Sequence, residues 1–259
     1  MIKFFRKIRQ KLLSENKFSK YFMYALGEII LVVIGILIAL QINGWNTHRV
    51  NKNKEQEYLV GLKSDLENQI NAFNGRIKIY DVIIDKGESI VTDFATAGKL
   101  IEIDSINIKL SYMMYALNYP DTQTTFNELI ATGQINLIQE KSLRSKIIRY
   151  YQDSEDSKSN VNSNVESVFY QHIFPIIKSS IIVHFDNFQF KSEKVNKELL
   201  NEKLITTFET NLRDPFKEFE VINAVSLRVM EANTNKGHIL FAKDLAQTLL
   251  RDIESELSK

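Results

Sequence analysis

The sequence predicts an all-α protein, with an N-terminal transmembrane helix followed by an extracytoplasmic antiparallel helical bundle and at most one short β-hairpin. Two observations predict this class. The 259 residues include only three prolines and nine glycines, which leaves room for long helices. An apolar stretch near the N-terminus is followed by segments in which apolar side chains recur at helical spacing.

The apolar stretch runs from Tyr21 to Asn43, and its part from Ile29 to Leu40 has no polar side chain. A helix of this length spans about 34 Å, which matches the ~30 Å hydrocarbon core of a bilayer. A cleaved signal peptide and a buried core helix are the alternatives. The first would need a shorter apolar core and a pair of small residues at a cleavage site, and the second is unusual with a basic flank on one side and Trp45 on the other.

Positive charge is concentrated before this stretch. Residues 1–43 hold seven basic and two acidic residues, whereas the rest of the chain holds 26 basic and 30 acidic residues. Lysine and arginine stay on the cytoplasmic side, so we expect the N-terminus inside, with basic side chains near the anionic lipids of the inner leaflet. The total charge of +1 gives no case for nucleic-acid binding. The predicted inner-leaflet contacts are Lys3, Arg6, Lys7, Arg9, Lys11, Lys17 and Lys20.

One face of the apolar helix carries Glu28, Gly35 and Ala39. At 100° per residue, Gly35 and Ala39 fall about 20° to either side of Glu28. Small residues let two membrane helices approach closely, and a carboxyl group in a bilayer is costly unless it is paired or reaches the headgroups. The three residues therefore predict a helix-packing face, in a homo-oligomer or against another membrane protein. The alternative is that the glycine and alanine are incidental and that Glu28 reaches a lysine at the membrane surface.

Two blocks of sequence resemble a large family of uncharacterised single-pass membrane proteins from flavobacteria and their relatives. The first comprises residues 1–13, 27–43 and 45–46, and the second comprises residues 125–129 with scattered positions between Gly133 and Tyr151. The resemblance implies a Bacteroidota inner-membrane protein with a helical periplasmic part, and it implies no activity. The expected organisation is a basic cytoplasmic tail at residues 1–20, a transmembrane helix at 21–43 and a periplasmic helical domain at 44–259.

Several helices are predicted after the apolar stretch. One could continue the membrane helix outward, with a break, if there is one, between Asn46 and Lys54. A short helix follows Asp104-Ser105 and runs to Leu117, and another ends at Gly133. A long one runs to Pro175, with a polar middle that is either a solvated turn of helix or a connection. A hairpin is possible around Asp186-Asn187.

Apolar stripes mark the core of these helices. The stripe of the first helix consists of Leu59, Leu62, Leu66, Ile70, Phe73, Ile77, Tyr80 and Ile84. Near the C-terminus, one helix carries Val195, Leu199, Leu204, Phe208 and Leu212. One further helix, or two joined at Gly237, carries Phe219, Ile222, Val225, Val229, Leu240, Leu249, Leu250, Ile253 and Leu257.

The sequence has no recognisable catalytic motif, and we predict that the protein is not an enzyme. There is no cysteine, no glycine-rich phosphate loop, and no pair of histidines four residues apart, so we expect no catalytic residues, no metal and no cofactor. Tyr112, Tyr115, Tyr150 and Tyr151 could line a pocket, although core packing explains them equally well. We expect a non-enzymatic interaction or scaffold protein of the cell envelope. The alternative is a ligand-sensing input domain that acts through a separate membrane partner.

Overall fold

The computed structural model describes residues 18–183 and 202–259, and all regular structure in these ranges is helical. The predicted all-α class is thus confirmed. The chain divides into two compact units, Met1–Glu57 and Tyr58–Lys259. The predicted hairpin lies largely outside the described residues, and residues 181–183 form no strand.

Helix α1, Phe18–Ala97, contributes residues to both units. The polar stretch from Asn46 to Lys54 is helical and shows no break, because it contains neither proline nor glycine. Helix α1 is followed by Gly98, whose φ of +75° is a left-handed conformation that glycine adopts without strain. Of the predicted stripe, Leu59, Leu62, Leu66, Phe73 and Tyr80 are fully buried, while Ile70, Ile77 and Ile84 are partly buried.

The middle of the chain holds short helices. A 3-10 turn, Leu100–Glu102, precedes α2, Ile106–Tyr112, which is shorter than predicted because the chain becomes extended before Pro120. Helix α3, Thr124–Ala131, is followed by Gly133 with φ +67°, which confirms the predicted glycine stop. A second 3-10 turn, Gln134–Leu137, leads to the next long helix.

Helix α4, Lys141–Asn164, continues into a π-helical segment, Val165–Ile173, and then into the short α5, Phe174–Lys178. The Glu140 carboxylate caps α4 by accepting hydrogen bonds from the backbone N–H groups of Ser142 and Leu143. The polar middle of α4 is helix and not a connection. The π-helical segment immediately precedes Pro175, which has no N–H to donate to the preceding turn.

Two helices complete the fold. Helix α6 is Glu202–Leu212, and α7 is Pro215–Leu257, a single helix in which Gly237 is no joint. The Asp214 side chain caps α7 by accepting a hydrogen bond from the Phe216 N–H at 3.0 Å, and Pro215 occupies the first turn, where its missing N–H costs nothing. Two residues assigned to the buried stripe of α7 are exposed: Phe219 (69%) and Leu240 (38%). Leu204 on α6 is also exposed.

The second unit is a bundle in which α7 runs antiparallel to α1 and to α4. Ion pairs fix its register against α1, with Lys63 to Glu254 at 2.7 Å and Lys236 to Asp81 at 2.6 Å. Lys146 to Asp252, at 2.9 Å, does the same against α4. Two buried clusters fill the interior. We call them the Phe73 cluster, which also includes Tyr80, Phe169 and Val225, and the Leu59 cluster, which also includes Leu66, Ile147 and Leu249.

Candidate functional site

No described residue in the apolar part of α1 is buried. Its most apolar 18-residue window has a mean hydropathy of 2.6, and none of the window is buried. A core helix of a soluble protein would instead be largely covered. The helix is long and apolar enough to be a membrane span or a signal sequence.

The predicted packing face lies on this exposed helix. Gly35 and Ala39 are exposed, and Glu28 is partly covered. A Cβ atom added at Gly35 would meet nothing within 4 Å, so the described part of the chain leaves this face open. Whether the face pairs with another helix stays a prediction.

The predicted inner-leaflet contacts fall mostly outside the described residues. These are Lys3, Arg6, Lys7, Arg9, Lys11 and Lys17. Lys20 lies in α1, but its side chain is among those not described. Their contact with lipid therefore stays a prediction.

The structure does not bring the four tyrosines of the predicted pocket into one cluster. Tyr112 and Tyr115 pack together at the Phe73 cluster, with ring centroids 6.1 Å apart. Tyr150 and Tyr151 are almost fully buried in the Leu59 cluster, where Tyr151 stacks on Phe126 at 3.9 Å. Burial raises the pKa of both buried phenols above the ordinary value, so they stay neutral at physiological pH. Their packing is that of core side chains.

A cleft of about 160 Å³ opens beside Tyr150, between α4 and α7. Its lining carries both signs of charge, from Lys146, Arg149 and Asp153 on α4 and from Asp252 on α7. Lys146 and Asp252 already pair with each other, and Arg149 pairs with Asp153 at 3.6 Å. The charges of the cleft are thus satisfied within the protein. Among residues 18–183 and 202–259, no group of three acidic or histidine side chains could hold a metal ion.

The interior holds an ionic cluster that the sequence analysis missed. Arg228, Glu231 and Asn235 lie on the inward face of α7 and are at most 4% exposed. The Arg228 guanidinium donates to the Glu231 carboxylate and, at 2.6 Å, to the Tyr115 carbonyl oxygen. The Asn235 amide donates to Glu231 at 2.5 Å and accepts from the Asn164 amide at 2.8 Å. We call Arg228, Glu231, Asn235 and Asn164 the buried ionic cluster.

This cluster connects α7 to several neighbouring parts of the bundle. Arg228 also lies over the Phe169 ring, 4.9 Å from its centroid, which links α7 to the π-helical segment. Tyr80 on α1 interacts with Asn235 and donates a hydrogen bond to the Leu117 carbonyl at 2.9 Å. Burial raises the pKa of Tyr80 to about 12, so it remains a donor at neutral pH. The charged groups are buried, and their hydrogen bonds hold α7 against its neighbours.

Desolvation works against both charges of the cluster. Burial raises the pKa of the Glu231 carboxyl, and the facing Arg228 opposes that change. Burial likewise lowers the pKa of the Arg228 guanidinium, which starts so high that the group keeps its charge. Each charge therefore depends on contact with its partner.

The outer face of α7 is unusual for a surface helix. Every exposed residue between Glu220 and Asp244 is uncharged, although the exposed face of α4 carries Lys146, Arg149, Glu155 and Asp156. Large apolar side chains protrude from it, with Met230 60% and Phe241 53% exposed. We call this the uncharged face of α7, and it consists of Phe219, Asn223, Ser226, Met230, Asn233, Thr234, Gly237, Leu240 and Phe241.

Among the described residues, these features define a class: a helical protein with one exposed apolar helix of membrane-spanning length and a bundle that contains a buried ionic cluster. Residues 28–193 match a family described as a family of unknown function (DUF6090). Because the match covers more than half of the chain, the chain belongs to this family. No curated protein and no solved structure matches it. The matched range ends before α7, which carries both the core of the ionic cluster and the uncharged face.

Proposed function

We propose that the chain is a membrane-anchored, non-enzymatic interaction protein of a Bacteroidota cell envelope. The N-terminal tail lies in the cytoplasm, the apolar part of α1 crosses the inner membrane once, and residues 44–259 lie in the periplasm. The observation that carries this proposal is the complete exposure of the apolar window of α1. Exposed apolar surface costs about 25 cal/mol per Å² in water, whereas lipid tails cover it without cost.

The orientation is supported by the distribution of charge. Residues 1–43 hold seven basic residues. Six of them precede α1 in the sequence, and the seventh, Lys20, is the third residue of α1. No later helix in the described ranges passes the same test for length and hydropathy. The basic end stays in the cytoplasm, and the bulk of the chain follows on the other side.

An interaction role is supported by two open surfaces, the surface of α1 at Gly35 and Ala39 and the uncharged face of α7. The ligand-sensing alternative has less support, because the four candidate tyrosines lie in two clusters and two of them, Tyr150 and Tyr151, are buried as core side chains.

The test is purification of the full chain from membranes in mild detergent, with the mass of the particle measured by native mass spectrometry. We expect a stoichiometric envelope partner or a homo-oligomer held by the span. Gly35→Leu should reduce this association severalfold, because it fills the face on which helices approach closely. Gly44→Leu is the matched control: Gly44 is also exposed in α1 with open space around it, and it points 180° away at 100° per residue. A single copy without a partner, or equal loss in both variants, would contradict the proposal.

A further inference from the structure

The uncharged face of α7 has the spacing of a helix-pairing seam. Phe219, Asn223, Ser226, Met230, Asn233, Gly237 and Leu240 follow one another at alternating steps of four and three residues. Steps of three and four residues keep side chains on one side of a helix, as the contact line between two paired helices requires. The opposite side of α7 is already used by the bundle, since Val221, Val225, Ile239 and Ala242 are fully buried there.

We propose that this seam packs against the same seam of a second copy of the chain. The charged groups of a charged partner would lose their hydration against this face and would find no counter-charge there. Such desolvation costs several kcal/mol per ion. The same face of another copy has no charged residue among its exposed positions between Glu220 and Asp244, and so meets this requirement. Asn223 and Asn233 can hydrogen-bond to amides across the pair, a device that fixes register in coiled coils.

The size of the seam sets the strength of the pairing. The stretch from Phe219 to Leu240 is about 32 Å long at ~1.5 Å per residue, and a helix is ~10 Å wide. The buried area is thus a few hundred Å² per copy, below the ~800 Å² of a standard stable interface. The pairing therefore needs copies concentrated in one membrane, and in this respect it rests on the proposed function.

The absence of cysteine from the chain makes cross-linking a clean test. Single-cysteine variants Ser226→Cys, Met230→Cys and Asn233→Cys are made in the full chain, and native membranes are treated with a mild oxidant and, separately, with a short bismaleimide. The control is Ser159→Cys, an exposed serine on α4 outside the seam. We expect at least one seam variant to give roughly tenfold more dimer than the control, because a disulfide needs Cα atoms within about 7 Å.

The pattern of cross-linking also reports the direction of pairing. All three seam positions cross-link if the helices are parallel, and only those nearest the two-fold axis if they are antiparallel. Introducing Met230→Lys into the best variant should reduce the dimer, because it places two like charges in the seam.

Three results would overturn the inference: equal dimer from seam and control variants, seam thiols protected from maleimide without any dimer, or seam thiols labelled freely without any dimer. The second would mean that the face is covered by residues 184–201 or by a different protein. Each is distinguishable from failure of the proposed function, in which the chain itself would be absent from the membrane fraction.

Discussion

Replacing Arg228 with methionine is expected to lower the free energy of unfolding of the bundle by about 3–5 kcal/mol, the usual cost of breaking a buried ion pair from one side. Methionine keeps much of the side-chain volume, so the loss comes from the charge. The variant leaves the Glu231 carboxylate buried without its cation, and it leaves the Tyr115 carbonyl without its donor. The measurement is the urea midpoint of the full chain in mild detergent, followed by circular dichroism.

The pH dependence separates this electrostatic effect from a packing defect. The folded-state pKa of Glu231 is already raised above 4.5, and it should rise further without Arg228. When the pKa of a carboxyl is higher in the folded state than in the unfolded state, the free energy of unfolding falls as the pH rises from the unfolded-state pKa through the folded-state pKa. The variant should therefore be least destabilised near pH 4.5 and most destabilised at pH 7. The double variant Arg228→Met, Glu231→Leu should recover most of the loss. An equal loss at both pH values, with no recovery, would show that Glu231 is not the cause.

Replacing Gly87 with alanine is expected to destabilise the bundle by about 1–3 kcal/mol, although alanine is the better helix former by ~1 kcal/mol. Gly87 is buried where α1 meets α7, and a Cβ atom there would overlap Val229 Cγ2 and lie 3.4 Å from Met113 Sδ. Valine has few alternative rotamers in a helix, so the overlap is relieved by moving the helices apart. The same urea titration measures the effect.

Gly75 provides the matched control on the same helix. It is exposed, and a Cβ atom there meets nothing within 4 Å, so Gly75→Ala should stabilise the bundle by up to about 1 kcal/mol. When Val229→Ala is added to Gly87→Ala, the double variant should lose less free energy of unfolding than the sum of the losses of the two single variants. An increase in the free energy of unfolding for Gly87→Ala, like that expected for Gly75→Ala, would contradict the close approach of α1 to α7 at this position.

The sequence predicts the helices well because periodicity and stop signals are local. The stripe from Leu59 to Ile84 and the turn at Gly133 are where the pattern places them. The length of α2 was wrong, and so was the inward assignment of Phe219 and Leu240, because apolar residues stand on both faces of α7. Which face turns inward is decided by packing against α1 and α4, which a local pattern does not contain.

The buried ionic cluster shows the same limit. Arg228 and Glu231, three residues apart on a helix, look in sequence like an ordinary surface ion pair. A signal was present, since Arg228 and Asn235 stand in phase with Val221, Val225 and Ile239, which are buried. The four predicted pocket tyrosines do not form one site for a related reason: Tyr112 and Tyr150 lie on helices that pack into different buried clusters.

The most direct test of the central claim, a single membrane crossing with the bundle outside, is thiol accessibility in intact spheroplasts. Ser14→Cys marks the basic end and Ser255→Cys marks the exposed end of α7, in a chain with no other thiol. The account predicts that a membrane-impermeant maleimide labels Ser255→Cys in intact spheroplasts and labels Ser14→Cys only after lysis, on chains of full mass. Labelling in the reverse order, or a mature chain that has lost its first forty residues, would contradict it.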